Sequence, residues 1–137
     1  MGRCRVGILE DLFKDLAVFK YYQPNDIVRV MGHGQQLKQA LAHVIAHCVG
    51  EISRGGDLFV TVEHDRKWVE ISIRHSGRGL TTQESMQLFK PFFKTSRFKC
   101  GLDLVLAQAV IFQHGGRIQV ESEVDVGTEF LIELPIV

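Results

Sequence analysis

His43 and His47 stand four residues apart on the most regular helical stretch of the chain. Side chains at that spacing share a helix face, so the two imidazoles can meet a common neighbour. Histidine pairs of this kind can grip a transition metal, with His75 as a third donor. No carboxylate or cysteine pair lies near them in the sequence. The plainer assignment is therefore two polar residues on the rim of a buried helix, and no metal ligand is assigned. The basic run Lys90, Lys94, Arg97 and Lys99 reads as a solvated loop, or as a contact surface for an acidic partner with Phe92, Phe93 and Phe98 as apolar anchors. Cys48 and Cys100 read as packing residues, and no catalytic residue is assigned. Trp68 falls on an outward face beside a turn and is expected to be exposed.

The elements that must position these groups follow from apolar periodicity. Ile8, Leu9, Leu12, Phe13, Leu16 and Phe19 recur at three and four, predicting a first helix over Val6 to Phe19. Pro24 ends that pattern, and Ile27 to Met31 is a short strand. Leu37, Ala40, Leu41, Val44, Ile45, Cys48 and Val49 define the buried stripe of the helix that carries the two histidines. Leu58/Val60/Val62 and Val69/Ile71/Ile73 alternate on either side of a polar link and predict an antiparallel hairpin. Its other face carries Thr61, Glu63, Trp68, Glu70 and Ser72. The second strand runs into the glycine-bearing loop His75-Ser76-Gly77-Arg78-Gly79-Leu80, then a short amphipathic piece around Met86, Leu88 and Phe89. A helix from about Leu102 ends at Gly115-Gly116, where a left-handed cap is available, and strands Ile118 to Val120 and Thr128 to Leu134 close the chain.

A length of 137 residues with 45% hydrophobic content fits one core. No linker or repeat interrupts it, so residues 1–137 are expected to form a single domain. Sixteen Lys plus Arg balance sixteen Asp plus Glu, which argues against a nucleic-acid or membrane-surface binder. Three cysteines without a C-x-x-C pair suggest no disulfide framework and a reducing, cytoplasmic setting. The longest apolar run, Leu104 to Phe112, falls far short of the roughly 20 residues that span a bilayer, and no signal peptide follows Met1.

The order of pieces resembles the ATP-binding domain of sensor histidine kinases, the Bergerat fold, over nearly the whole chain. Four stretches carry the resemblance: Leu37-x-Gln39-x-Leu41-x-His43, Ser76-Gly77-Arg78-Gly79-Leu80, Leu88-Phe89-Lys90-Pro91-Phe92-Phe93, and His114-Gly115-Gly116-x-Ile118 with Gly127-Thr128-x-Phe130. It implies an α+β, two-layer sandwich with helices on one face of a mixed, mainly antiparallel sheet. It also implies a cytoplasmic segment of a larger bacterial two-component signalling protein. The pocket positions it carries over are His43, His47, His75, Gly77, Gly79, Lys99, Gly101, Leu102, Asp103 and Thr128.

The chain departs from the family's pattern at the residues that matter for chemistry. His47 stands where the family has a magnesium-binding asparagine, and imidazole nitrogen suits zinc or copper better than Mg²⁺. His75 stands where an aspartate accepts from the adenine amino group; only a neutral imidazole could do so. The second glycine box, Gly-x-Gly-Leu-Gly-Leu in the family, is Lys99-Cys100-Gly101-Leu102-Asp103-Leu104 here, and the lid is only a few residues long. Asp103 is expected to satisfy free N–H groups at the helix start, contributing roughly 0.3–1 kcal/mol, while opposing a triphosphate there. The expectation is a degenerate domain without Mg-ATP, a regulatory or protein-interaction module, and hence a pseudokinase. The alternative is an active domain using ATP and Mg²⁺ to phosphorylate a histidine of a partner helical domain. A weaker alternative is metal or small-ligand binding in the remodelled pocket. Partners implied are a receiver domain or a dimerisation and phosphoacceptor helical domain, and a homodimer is compatible with this reading.

Overall fold

In the computed structural model, described over residues 2–5, 19–22, 29–51, 58–90 and 102–136, the alternation read above becomes a sheet with one buried face. The strands are β1 (Gly2–Arg5), β2 (Phe19–Tyr22), β3 (Arg29–Gly32), β4 (Leu58–His64), β5 (Trp68–Ser76), β6 (Arg117–Glu123) and β7 (Gly127–Pro135). The helices are α1 (Gly34–Glu51), α2 (Thr82–Gln87) and α3 (Asp103–Gln113). Five strands form one sheet in the order β2-β4-β5-β7-β6; β2 runs parallel to β4 and the other pairs are antiparallel. β1 and β3 form a separate antiparallel ribbon. This is the mixed, mainly antiparallel α+β sandwich that the resemblance implied.

Register fixes the two faces. Inward rows hold Leu58, Val60 and Val62 of β4, Val69, Ile71 and Ile73 of β5, and Phe130, Ile132 and Leu134 of β7, all buried. They meet Leu37, Ala40, Leu41, Val44, Ile45 and Cys48 of α1 and Leu104, Ala107 and Ile111 of α3 in one core. Each fully buried aliphatic or aromatic side chain stabilises by about 1.5–3 kcal/mol relative to exposure. Cys48 lies inside this core, where burial pushes its thiol well above the ordinary range, in keeping with packing rather than reactivity. The β4–β5 turn is held by Asp65, whose Oδ1 accepts from the N–H groups of Lys67 (2.7 Å) and Trp68 (2.8 Å). These hydrogen bonds hold its carboxyl below the usual carboxylate range.

The outward rows cross the sheet as Phe59, Arg74, Glu129 and Glu121; Thr61, Ser72, Leu131 and Gln119; and Glu63, Glu70, Glu133 and Arg117. Trp68 is also on this face and is 39% exposed.

Several expectations need correction. Phe19, placed at the end of a first helix, opens β2; the rest of that helix, residues 6–18, lies outside the described residues. Neither β1 nor β2 was read from the sequence, because both are too short to show alternation and β2 owes its strand state to parallel pairing with β4. Around α2, Leu88 is buried but Met86 is 74% exposed, and the buried helical residue is Glu84. The cause is a capping box: Thr81 Oγ1 accepts from Glu84 N–H (3.1 Å) while Glu84 Oε1 accepts from Thr81 N–H (3.0 Å). Among the described residues, no helix is long and apolar enough to cross a membrane.

Candidate functional site

His43 and His47 lie one turn apart on α1, at the edge of its apolar stripe, as the spacing required. His43 Nδ1 sits 3.4 Å from Asp103 Oδ1 at the start of α3, with both side chains well solvated. Leu102, the N-cap, is exposed and supplies no side-chain hydrogen bond. Asp103 therefore meets His43 across the helix pair, a role its expected service to the helix start did not include.

His47 is half-buried and packs edge-on against Phe130, with ring centroids 5.8 Å apart at 86°. Burial first and His75 second lower its pKa from 6.5 to about 4, with Asp103 partly opposing them. His47 is thus neutral at pH 7, and its electrostatic neighbours place His43, His47, His75 and Asp103 in one cluster between α1, β5 and the start of α3. Among the described residues no three His, Cys, Asp or Glu side chains converge as a metal site.

His75 continues the inward row of β5 and is buried, directly opposite Leu58 on one side and Thr128 on the other. Its Nδ1 lies 3.1 Å from Ser76 O. A carbonyl only accepts, so Nδ1 carries the hydrogen and Nε2 of the neutral ring is left as the acceptor.

Gly77 and Gly79 take positive φ, +141° and +69°. A side chain at Gly79 would strike the Glu123 carbonyl, so glycine is required both for the backbone conformation and for this close approach. Gly77 N–H donates to Val126 O (3.2 Å) and Asp125 N–H to Arg78 O (2.7 Å), pinning the glycine loop to the β6–β7 turn. Thr128 is buried, its hydroxyl 2.7 Å from Ser122 Oγ. Lys99 and Gly101 lie outside the described residues, as do Lys94, Arg97, Phe92, Phe93, Phe98 and Cys100; Lys90 is exposed.

Sequence reasoning missed Ser122. Its Oγ accepts from Leu80 N–H (2.7 Å) and lies 3.0 Å from Gly127 O, so donating to that carbonyl leaves Thr128 to donate to it. One hydroxyl thereby ties the glycine loop to Thr128. The available signal was a hydroxyl in the inward row after Ile118 and Val120, where an apolar residue was due.

A mixed sheet with two helices on one face, and a glycine loop beside a cluster at the helix–sheet seam, defines an ATPase-type module. The chain belongs to the family of histidine kinase-, DNA gyrase B-, and HSP90-like ATPases, whose model matches residues 32–137. It is 34% identical over 113 residues to sporulation kinase E of Bacillus subtilis (strain 168), covering 82% of this chain but only 15% of that kinase. Its fold matches the mycobacterial sensor histidine kinase MprB with TM-score 0.83 at 22% identity, over 98% of both chains. It also matches the catalytic domain of histidine kinase ThkA with TM-score 0.82 at 24% identity, over 98% of this chain and 95% of that one.

Proposed function

We propose that this domain is a degenerate histidine-kinase ATPase-like domain that does not hold Mg-ATP and works as a regulatory or protein-interaction module in two-component signalling. Residues 1–137 would be one domain of a larger protein, meeting a receiver domain or a dimerisation and phosphoacceptor helical domain. The observation that carries the reading is His47. A neutral, half-buried imidazole stands where the family resemblance calls for an oxygen ligand, and Mg²⁺ takes oxygen donors in a near-octahedral shell. Asp103 supports it, since a carboxylate on the first turn of α3 opposes an anionic phosphate. The donor set does not fit Mg-ATP.

His75 favours a second reading, an active ATP-binding domain that transfers a phosphoryl group to histidine. In the neutral tautomer that donates from Nδ1 to Ser76 O, Nε2 is an acceptor of the polarity an adenine amino group needs. Calorimetric titration with ADP and with ATP, each with Mg²⁺, separates the two. No heat and no thermal shift are expected, and micromolar binding at one site would overturn the pseudokinase reading. Gain of binding in a His47→Asn, Asp103→Gly variant would trace the loss to these two positions.

A further inference from the structure

The helix-free face of the five-stranded sheet holds a pattern that the pocket chemistry does not explain. Six glutamates, Glu63, Glu70, Glu121, Glu123, Glu129 and Glu133, share it with Arg74 and Arg117, and register sets Lys20 of β2 opposite Phe59 in the same row. The chain as a whole is neutral, with sixteen basic and sixteen acidic residues. Most of the cations are therefore placed elsewhere, and the face is acidic by segregation.

Register makes the segregation costly. Glu63 stands directly opposite Glu70, Glu70 opposite Glu133, and Glu121 opposite Glu129. Like charges facing across strands destabilise a sheet. Compensation is partial: Arg117 reaches Glu133 (3.2 Å), and Ser72 Oγ donates to Glu129 Oε2 (2.7 Å). Arg74 instead lies over the Phe59 ring, 5.1 Å from its centroid. Among the described residues, no ion pair engages Glu63, Glu70 or Glu121.

The surface is also concave. A cavity of about 540 Å³ beside Phe59, Arg74, Glu121 and Glu129 adjoins one of about 200 Å³ between Phe59, Glu63 and Glu70. A third, of about 250 Å³, carries it on through Glu63 and Glu70 to Trp68. Shared walls make one trough, bounded by the exposed apolar residues Val126 and Trp68.

We propose that this trough docks a lysine- or arginine-rich segment of a partner protein. The segment's cations would fall between the facing carboxylates, its stems would lie against Phe59 and Leu131, and its binding would relieve repulsion that the free domain carries. The 540 Å³ end of the trough is also lined by His75, Ser122 and Thr128 of the helix-side site, whereas the Glu63 and Glu70 end shares no lining residue with it.

Trp68 is the sole tryptophan of the chain and a built-in reporter. An extended peptide alternating lysine and threonine is titrated into the protein while Trp68 emission is followed, with a glutamate–threonine peptide as control. The lysine peptide is expected to shift the emission saturably, with affinity falling as salt rises, and the control to do nothing. A Glu70→Lys, Glu121→Lys variant is expected to weaken binding at least about tenfold while raising the thermal midpoint by roughly 2–4 °C, because facing carboxylates are removed. Unchanged binding by the variant, salt-independent binding, or no Trp68 response would overturn the proposal. So would a lowered midpoint, or self-association of the peptide-free protein that the variant abolishes, which would assign the face to a second copy.

Discussion

His47 titrates at about 4 in the folded protein against 6.5 for the free side chain, with burial as the main cause. A histidine with a depressed folded pKa is neutral in the native state over a range where the unfolded chain takes up a proton. Its contribution is therefore flat above pH 6.5, and stability falls as pH drops from 6.5 toward 4. Between about pH 7.5 and 5.0 the two pKa values imply a loss of about 2 kcal/mol, a large fraction of a typical domain's total stability. The perturbation that isolates it is His47→Asn, which removes the titrating group and leaves every other one in place. Urea denaturation of both proteins at the two pH values gives a double difference in which constant costs of the substitution cancel. The parent should lose about 2 kcal/mol more than the variant on acidification. Equal losses, or an imidazole resonance of His47 titrating near 6.5, would refute the argument that burial beside His75 holds it neutral.

Two further predictions concern packing. His114 Nδ1 lies 2.8 Å from Val110 O, and Nε2 accepts from His33 N–H at 3.0 Å, while any side chain at Gly32 would overlap the imidazole. Gly32→Ala should cost about 1–3 kcal/mol, and part of that cost should vanish in a His114→Ala background; strictly additive losses in a urea double-mutant cycle would count against the contact. Thr81→Ala removes the acceptor for Glu84 N–H and should destabilise by about 1 kcal/mol in thermal unfolding, with Thr81→Ser close to neutral.

What the sequence revealed divides by the range of the interactions involved. The inward rows of β4, β5 and β7 and the stripe of α1 were legible because a period of 2 or 3.6 is a local property. β2 was not, since its pairing with β4 joins residues nearly forty positions apart, and local spacing placed Phe19 in a helix. At the site, the helical period put His43 and His47 together. The His43–Asp103 contact, the Phe130 ring against His47 and the Ser122 hydroxyl network all depend on how α1, α3 and the sheet are set against one another. Burial of His75 was implicit in the alternation of Val69, Ile71 and Ile73; its neighbours Leu58 and Thr128 required the strand order.

The three residues that the resemblance reads as departures from the family's pattern are each compatible with the fold for a local reason. His47 keeps its place by staying neutral and offering Phe130 an edge-on aromatic contact. His75 satisfies one ring nitrogen on the adjacent carbonyl of Ser76, so a polar ring is tolerated in a buried row. Asp103 places a negative charge at the positive end of α3 and faces His43. Two of the three adjoin the core, His75 buried in the inward row of β5 and His47 packed on Phe130, while the Asp103 side chain is solvated. The apolar rows and the stripe of α1 hold the sheet and helices together, and these three polar side chains are accommodated at the seam by a neutral ring, a backbone carbonyl and a helix start.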